Sequence, residues 1–343
     1  MKQEELHTET IEPGQPFVID TFRPEDAPGV ARLFREVYGD KYPVQLVYNP
    51  DQLINAFNVL ENIPVVARTP KDNLVAYEAV YRSCPNPQVY EAGQGLVLPA
   101  YRKNNIINRI NQYVCEVLAP GMDIDSVFGE AVCNHTYMQA SWQAFANIPT
   151  AIEVDVMPAE TYVKEHSASG RVAVLIMSRT YRSLPHSVYI PSVYQDALRH
   201  IYAHLDDKRT LAISGQMPDK GSSTQIRAKI FDFAKVVRLT VHETGEDFPE
   251  VFNKQEKEML DQGIVVIQVW LNLSWPWVGS IAEHLRTRGY FLGGILPRWF
   301  GADGLLMQKI IGEPNWEGIQ IYSEYAKEIL RIVKDDWASQ MSI

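Results

Sequence analysis

Cysteine is scarce in this chain: Cys84, Cys115 and Cys133 are the only three among 343 residues. An odd set with no metal-type spacing argues against a disulfide framework or a zinc site, so the thiols read as reduced and no metal is expected. Long apolar runs are also missing. No stretch of about 18 apolar residues is present, which argues against a membrane-spanning helix. The opening "MKQEELHTETIEPGQP" is polar and acidic where a signal peptide would be basic and then apolar. Together these point to a cytoplasmic protein. Positive charge is in deficit as well, 32 Lys and Arg against 42 Asp and Glu for a net charge of -10. Phosphate-backbone binding rests on accumulated cations, so nucleic acid is a poor candidate partner. The last deficit is local. Residues 96–110, "LVLPAYRKNNIINRI", read as a strand, a proline-aromatic corner, a basic loop and a helix start, the layout of a phosphate-holding turn, yet they contain no glycine.

What is present is an ordinary globular composition, 46% hydrophobic and 22% charged, long enough for two domains or one large one. "FVIDTF" reads as a strand, and "RPEDAPGVARLFREVYG" as a helix with Val30, Leu33, Phe34 and Val37 at helical spacing. A second helix over 51–60 precedes the strands "IPVVART" and "NLVAYEAVYR", joined by the turn "PKDN". "QVYEAGQGLVL" continues the sheet, and Gly93 and Gly95 invite a bulge or a close backbone approach. From Asn105 a helix runs through Ile106, Ile110, Tyr113, Val114 and Val117. "SVFGEAV", "NHTYMQASWQAF" and "TAIEVDVMP" follow as strand, helix and strand, completing a mixed sheet flanked by helices.

Beyond the strand "RVAVLIMSRTY", the two prolines of "RSLPHSVYIPS" suggest a boundary. A helix over 193–205, a strand over 209–214, two strands in "STQIRAKIFDFAKVVRLTVHETG" and the helix "FPEVFNKQEKEML" come next. "IVVIQVWLNL", "PWVGSIAEHLRTRG", "YFLGGILP" and "DGLLMQKI" read as strand, helix, strand and strand, and an amphipathic helix closes the chain. Both halves end on strand, helix, a small residue with an aromatic (Ala144 with Phe145, Gly289 with Tyr290) and a strand ending in proline. We take this as a weak internal repeat of architecture.

Residues 17–158 resemble the GNAT superfamily of acyl-CoA-dependent N-acyltransferases. "RPEDAPGVARLFREVYG" is similar to that family's opening helix and "LVLPAYRKNNI" to its acyl-donor motif, with Val97, Pro99, Tyr101 and Arg102 in place. The motif's two small positions fall on Asn105 and Ile107. "GEAVCNHTYMQASWQAF" and "RTRGYFLGGILPRWFGADGLLMQKI" resemble a bacterial GNAT-like branch whose second lobe is divergent. The resemblance implies an α/β fold of two GNAT-like lobes, each a mixed β-sheet flanked by helices. It divides the chain into a polar tail (1–16), an acyl-donor domain (17–160), a connecting strand and linker (161–190) and a divergent second domain with a C-terminal helix (191–343).

It also implies acetyl-CoA or another acyl-CoA as donor and a small-molecule or peptide amine as acceptor. The thioester would lie between the strands 89–98 and 126–132, with the pyrophosphate at the following helix start, where free N–H groups and the helix dipole favour an anion. The donor-binding candidates are Val97, Leu98, Arg102, Lys103, Asn104, Asn105, Ile106 and Ile107, with Arg109 helping. Asn104 and Asn105 tolerate the left-handed conformation glycine would supply, whereas Ile107 would intrude. The corresponding turn of the second half, "HETGEDFPEVF", is acidic and repels phosphate. For the chemistry, backbone amides near Leu98 are expected to polarise the thioester carbonyl, and Glu91 or Glu130 to act as general base. The tyrosine that usually serves as acid is replaced by Ser141, leaving Tyr137 and His135 as candidates. Cys133 would be a nucleophile only with a lowered pKa. Trp270, Trp275, Trp277, Trp299 and Trp316 are core aromatics or the lining of an acceptor pocket. Two other readings share this fold: a catalytically degenerate ligand sensor or scaffold, and an aminoacyl-tRNA-dependent amide-forming transferase, which the net charge disfavours.

Overall fold

The computed structural model describes residues 11–160, 170–205, 207–218 and 221–341. The expected polar tail therefore lies partly outside the described residues, as does the first part, 161–169, of the expected linker. The chain forms two compact units. The first holds the described residues up to Arg82 together with Ala92–Met122; the second holds Ser83–Glu91 and the chain from Asp123 on. The class is the expected mixed α/β.

The first unit begins with β1 (Val18–Thr21), α1 (Ala27–Tyr38) and α2 (Pro50–Asn58), then β2 (Asn62–Arg68), β3 (Leu74–Tyr81) and β4 (Val89–Val97), whose first three residues belong to the second unit. Helix α1 forms because Ala27, Val30, Ala31, Leu33 and Phe34 put one apolar stripe on the sheet, and Gly39 ends it at φ 62°. The Asn49 side chain accepts from the Gln52 amide at 3.1 Å and caps α2. Strands run in the order β1-β2-β3-β4. Neighbouring residues of β3 point to opposite faces. Tyr77 meets Phe34 of α1 edge-on at 5.1 Å, while Glu78 faces the other side. That side is covered by α3 (Ile106–Tyr113), which continues through a π-turn (Val114–Leu118) into the short α4 (Ala119–Gly121). The π-turn rotates Val117, expected on the buried stripe, out into solvent.

The second unit contains β5 (Ser126–Val132), α5 (Tyr137–Ala144), β6 (Ile148–Met157), β7 (Val172–Thr180), β8 (His186–Ile190), α6 (Gln195–Tyr202), β9 (Arg209–Ile213), β10 (Gln225–Phe231), β11 (Val236–Glu243), α7 (Phe248–Asp261), β12 (Val266–Asn272), α8 (Val278–Arg286), β13 (Phe291–Leu296), β14 (Gly304–Ile310) and α9 (Glu324–Met341). Its main sheet has the order β5-β7-β6-β13-β14-β12-β11-β10, and β8 pairs with β9 in a small parallel sheet. The proline-flanked "HSVYI" is thus strand β8, and β7 inserts between β5 and β6.

Strands β6 and β13 meet at the single register pair Ala151 and Gly294. Gly294 has φ 127°, and a Cβ there would lie 2.4 Å from the Thr150 carbonyl oxygen, so only glycine fits. Beyond this pair the buried Gln308 amide stands in for a strand: its Nε2 donates to Ile152 O and its Oε1 accepts from Val154 N, each at 2.9 Å. Trp270 and Trp299 stack at 4.6 Å in the core with Val89, Phe128, Ala151, Ile176, Leu296 and Leu306.

Candidate functional site

In the first unit β4, before the donor turn, carries a left-handed residue within the strand. The left-handed residue is Gln94 (φ 60°), between the two glycines. Its side chain is held by Asn62 Nδ2 at 3.4 Å and the Tyr77 hydroxyl at 3.5 Å. Leu98 donates its amide to Val75 O at 2.9 Å, so this one of the amides near Leu98 is engaged within the sheet. Tyr101 is buried, and its hydroxyl donates to Glu12 O at 2.6 Å, anchoring the corner.

After the corner the backbone turns left-handed at Lys103 (φ 70°) and at Asn105 (φ 56°), so Asn105 adopts the conformation expected at the motif's first small position. Asn105 Oδ1 accepts from Asn108 Nδ2 at 2.6 Å, and its carbonyl takes the Arg109 amide. Between these points the amides of residues 103–108 donate to no acceptor among the described residues. Successive uncommitted N–H groups in a turn with left-handed residues form an anion-binding concavity, and a helix start adds its dipole. Arg102, Lys103, Asn104 and Asn105 are exposed around it. Arg109 does not help, because its guanidinium stacks on Phe17 at 4.5 Å.

Ile106 and Leu98 are both buried in the core. Ile107 does not fill the concavity. It leans inward on β4, with its Cδ1 3.7 Å from where a Cβ of Gly95 would stand. A Cβ at Gly95 would meet Ile107 at ordinary van der Waals distance, so the isoleucine packs against this position of β4. Glu78, which sequence reasoning passed over, lies beneath: its Oε2 is 3.8 Å from the same position. Burial pushes its carboxyl up to about 8.

In the second unit the candidate carboxylates gather around Arg238 of β11. Its Nη2 donates to Glu130 Oε1 at 3.1 Å and to Glu153 Oε1 at 3.0 Å, and its Nε donates to Gln268 Oε1 at 3.1 Å. The guanidinium also lies 5.7 Å from the Trp299 ring and 5.9 Å from the Phe231 ring. Strands β11 and β6 are four steps apart in the sheet, about 19 Å on a flat surface at ~4.8 Å per step. The Arg238–Glu153 contact therefore requires this sheet to curl around the cluster. Burial works against the charge of Arg238, but Glu153, Glu130 and Glu91 outweigh it and raise its pKa. Burial raises the Glu153 carboxyl against the pull of Arg238, with Glu130 and Glu91 adding repulsion. Glu91 and Glu130 thus share one electrostatic cluster, and Glu130 is bound to a cation. Arg238, Glu153 and Gln268 were not singled out from sequence. The available signal was a charged or amide side chain inside each of the otherwise apolar strands "VVRLTV", "AIEVDV" and "VIQVW".

His135 and Tyr137 pair at the start of α5, with ring centroids 5.5 Å apart. Tyr137 is 81% exposed, so it is neither a cap nor a core residue. Cys133 is buried, and burial pushes its thiol up to about 12, the opposite of the lowered pKa a nucleophile needs. Of the tryptophans, Trp270 and Trp299 are core, while Trp275 and Trp277 stay half-buried and lie within 8° of parallel at 6.3 Å. No metal-ligand group of His, Cys, Asp and Glu occurs among the described residues. No described helix is long and apolar enough to cross a membrane.

No protein-family model matches the chain, and no curated protein matches it. Among solved structures it is similar, over about half its length, to N-acetyltransferases. An aminoglycoside 6'-N-acetyltransferase complexed with coenzyme A is 14% identical over 49% of this chain and 99% of its own, with a TM-score of 0.35. An N-acetyltransferase from Staphylococcus aureus Mu50 is 10% identical over 49% of this chain and all of its own (100%), with a TM-score of 0.40. The spermidine/spermine N-acetyltransferase SpeG from Vibrio cholerae is 15% identical over 48% of this chain and 95% of its own, with a TM-score of 0.32.

Proposed function

We propose that the chain is an acyl-CoA-dependent N-acyltransferase. The carrying observation is the row of uncommitted amides at residues 103–108, framed by Arg102 and Lys103 and kept open because Ile107 folds onto Gly95. Such a cradle suits the pyrophosphate of an acyl-CoA, whether acetyl-CoA or a longer donor. Arg102 and Lys103 supply charge, Lys103 and Asn105 the left-handed turns that shape the loop around Asn104, and Val97, Leu98, Ile106 and Ile107 the wall beneath it. The acceptor is an amine of a small molecule or peptide. Its attack on the thioester carbonyl requires loss of a proton, which Glu91 or Glu130 takes directly or through water, and the departing thiolate takes a proton from Tyr137 or His135. Residues 17–160 and 191–343 are proposed as the two lobes.

Titration calorimetry with acetyl-CoA tests the assignment. Binding is expected, weakened by Lys103→Glu and by added salt. Absence of binding at millimolar acetyl-CoA removes it.

One further reading has its own support. Glu130 is engaged by Arg238, and the Leu98 amide is engaged by Val75, so two groups expected in catalysis are committed to structure. This favours a donor-binding sensor without turnover. It predicts CoA affinity unchanged when Glu91, Glu130, His135 and Tyr137 are each replaced, and no acyl product with any amine.

A further inference from the structure

Strands β8 and β9 begin inside a knot of charge in the second unit. Their first residues, His186 and Arg209, are register partners. Around them the carboxylates of Asp125, Asp207 and Asp303 are nearly inaccessible, with side-chain exposures of 5%, 0% and 0%. Asp125 is met by two guanidiniums, Arg182 Nη2 at 2.7 Å and Arg298 Nη2 at 3.4 Å. Asp207 and Asp303 share one: Arg209 Nε lies 2.6 Å from Asp303, and Arg209 Nη2 lies 3.5 Å from Asp207. Two buried carboxylates on one arginine leave a negative charge to be met, and an uncompensated buried charge is strongly destabilising.

The imidazole of His186 supplies the missing cation. Its Nδ1 is 2.9 Å from Leu184 O, and a carbonyl oxygen only accepts, so Nδ1 carries a proton. Its Nε2 is 3.3 Å from Asp303 Oδ1. Burial opposes the charge of that carboxylate, but His186 and Arg209 hold it well below the usual carboxylate range. An ionised carboxylate also only accepts, so Nε2 carries a proton too. The resulting imidazolium stands 3.9 Å from Asp207 Oδ2. Burial works against its charge, and so does Arg209, yet the contacts with Asp303 and Leu184 O prevail and raise the His186 pKa above the ordinary 6.5. Arg298 Nη1, 3.3 Å from Nδ1, is the other opposing cation. Tyr202 of α6, whose ring lies 5.1 Å from the Arg209 guanidinium, stays neutral because burial lifts its phenol well above the ordinary range. The Lys208 side chain is exposed.

Asp207 is the member of the knot placed to leave. Its Oδ1 caps the turn into β9, accepting from the amides of Leu184 at 2.8 Å and Lys208 at 3.0 Å and from Ser183 Oγ at 3.1 Å. Its Oδ2 accepts no hydrogen bond among the described residues. Asp303, by contrast, also takes the Arg298 amide at 2.9 Å. No residue of β9 is fully buried, so the strand depends on its ladder with β8 and on this knot.

We propose that His186 is a proton-operated clasp on the start of β9. As the imidazolium it keeps Asp207 inside. Once the Nε2 proton is lost, two carboxylates again share one arginine, and Asp207 turns out to solvent and lets go of Leu184 and Lys208. The clasp is shut in mild acid and opens as pH rises. The closed form holds the proton more tightly than the open one, so it loses its advantage between pH ~6.5 and the raised value and changes little above that.

Amide hydrogen exchange and imidazole nitrogen NMR of the full chain between about pH 6 and pH 9 test the clasp. His186 should carry both protons at the acid end and half-titrate above ~6.5. Across the range the protection of the Leu184 and Lys208 amides should fall at least about fivefold, the effect of opposite charges ~4 Å apart even at the dielectric constant of water, while Val269 of β12 and Met307 of β14 keep theirs. Asp207→Asn retains the capping Oδ1 and leaves one carboxylate to one arginine, so the fall should vanish and His186 should titrate lower. If that variant does not fold, His186→Gln serves: with no proton to lose, it should show the low protection throughout and no step. Half-titration at or below ~6.5 overturns the proposal. So does protection at Leu184 and Lys208 that is constant with pH, or a fall that persists in either variant.

Discussion

The Ile107→Gly variant separates two accounts of a glycine-free donor turn. In the structure the Ile107 side chain is half-buried and occupies the space above Gly95. Fully burying an isoleucine side chain is worth roughly 1.5–3 kcal/mol, so this one contributes about 1 kcal/mol. Glycine in the first turn of α3 costs about 1 kcal/mol more than a good helix former. The variant should therefore lose about 2 kcal/mol of stability in urea unfolding. The amides of residues 103–108 remain where they were, so CoA affinity measured by calorimetry should change less than about twofold. Had Ile107 stood in the place of the phosphates, its removal would raise affinity by about tenfold or more, equivalent to ~1.4 kcal/mol. A tenfold gain with unchanged stability refutes the geometry argued for this turn. Gly95→Leu supplies the converse. A side chain growing from a Cβ 3.7 Å from Ile107 Cδ1 and 3.8 Å from Glu78 Oε2 should drive Ile107 outward and weaken CoA binding.

Two predictions concern buried polar groups, one inside each unit. Glu78 has its folded pKa raised to about 8 from an ordinary 4.5. The folded state thus holds the proton more tightly than the unfolded one, and stability declines as pH rises from about 4.5 to 8, with little further change above. Glu78→Gln should remove this decline and gain on the native protein by about 4 kcal/mol between pH 5 and pH 9. Parallel urea curves for the two proteins across that range would contradict it. For Gln308→Ala, the Val154 amide and the Ile152 carbonyl each lose a buried partner, which predicts a loss of about 2–5 kcal/mol in denaturant unfolding and faster amide exchange at Val154. A loss below about 1 kcal/mol would show that β6 and β14 do not depend on that amide.

The elements that sequence periodicity marks, such as α1, β2, β3 and α7, lie within a few residues of where the apolar spacing places them, because each buries one face in one neighbour. The left-handed Asn105 was equally legible, since asparagine is among the few side chains that accept φ near +60°. The bulge of β4 was legible in position but not in residue. Its left-handed member is Gln94, where Asn62 and Tyr77 hold the side chain, and those two residues sit on β2 and β3. The fate of the Leu98 amide likewise depends on Val75 across the sheet. Arg238, Glu153 and Gln268 were each visible as a polar residue in an apolar strand. Their meeting follows from a strand order in which β7 inserts between β5 and β6, and from a curled sheet, neither of which has a local signature. Burial, a three-dimensional property, also decided against Cys133.

The two small positions of the donor motif pose two separate physical demands, and the chain meets them by separate means. At 105 the demand is conformational, a backbone at positive φ, and asparagine satisfies it within the turn. At 107 the demand is steric, an unobstructed approach to the helix start, and what matters is the direction the side chain takes rather than its size. A glycine at 107 would meet the demand by absence; isoleucine meets it because its side chain lies inward against Gly95 of β4. A small residue at 95 is thus matched to a large one at 107, and enlarging 95 alone should be worse for CoA binding than enlarging 95 slightly while shortening 107. On this argument Gly95→Ala with Ile107→Val should lie closer to the native protein in CoA affinity than Gly95→Leu alone. A turn judged by its own residues would be scored as broken, whereas judged with the strand beneath it the turn stays open to an anion.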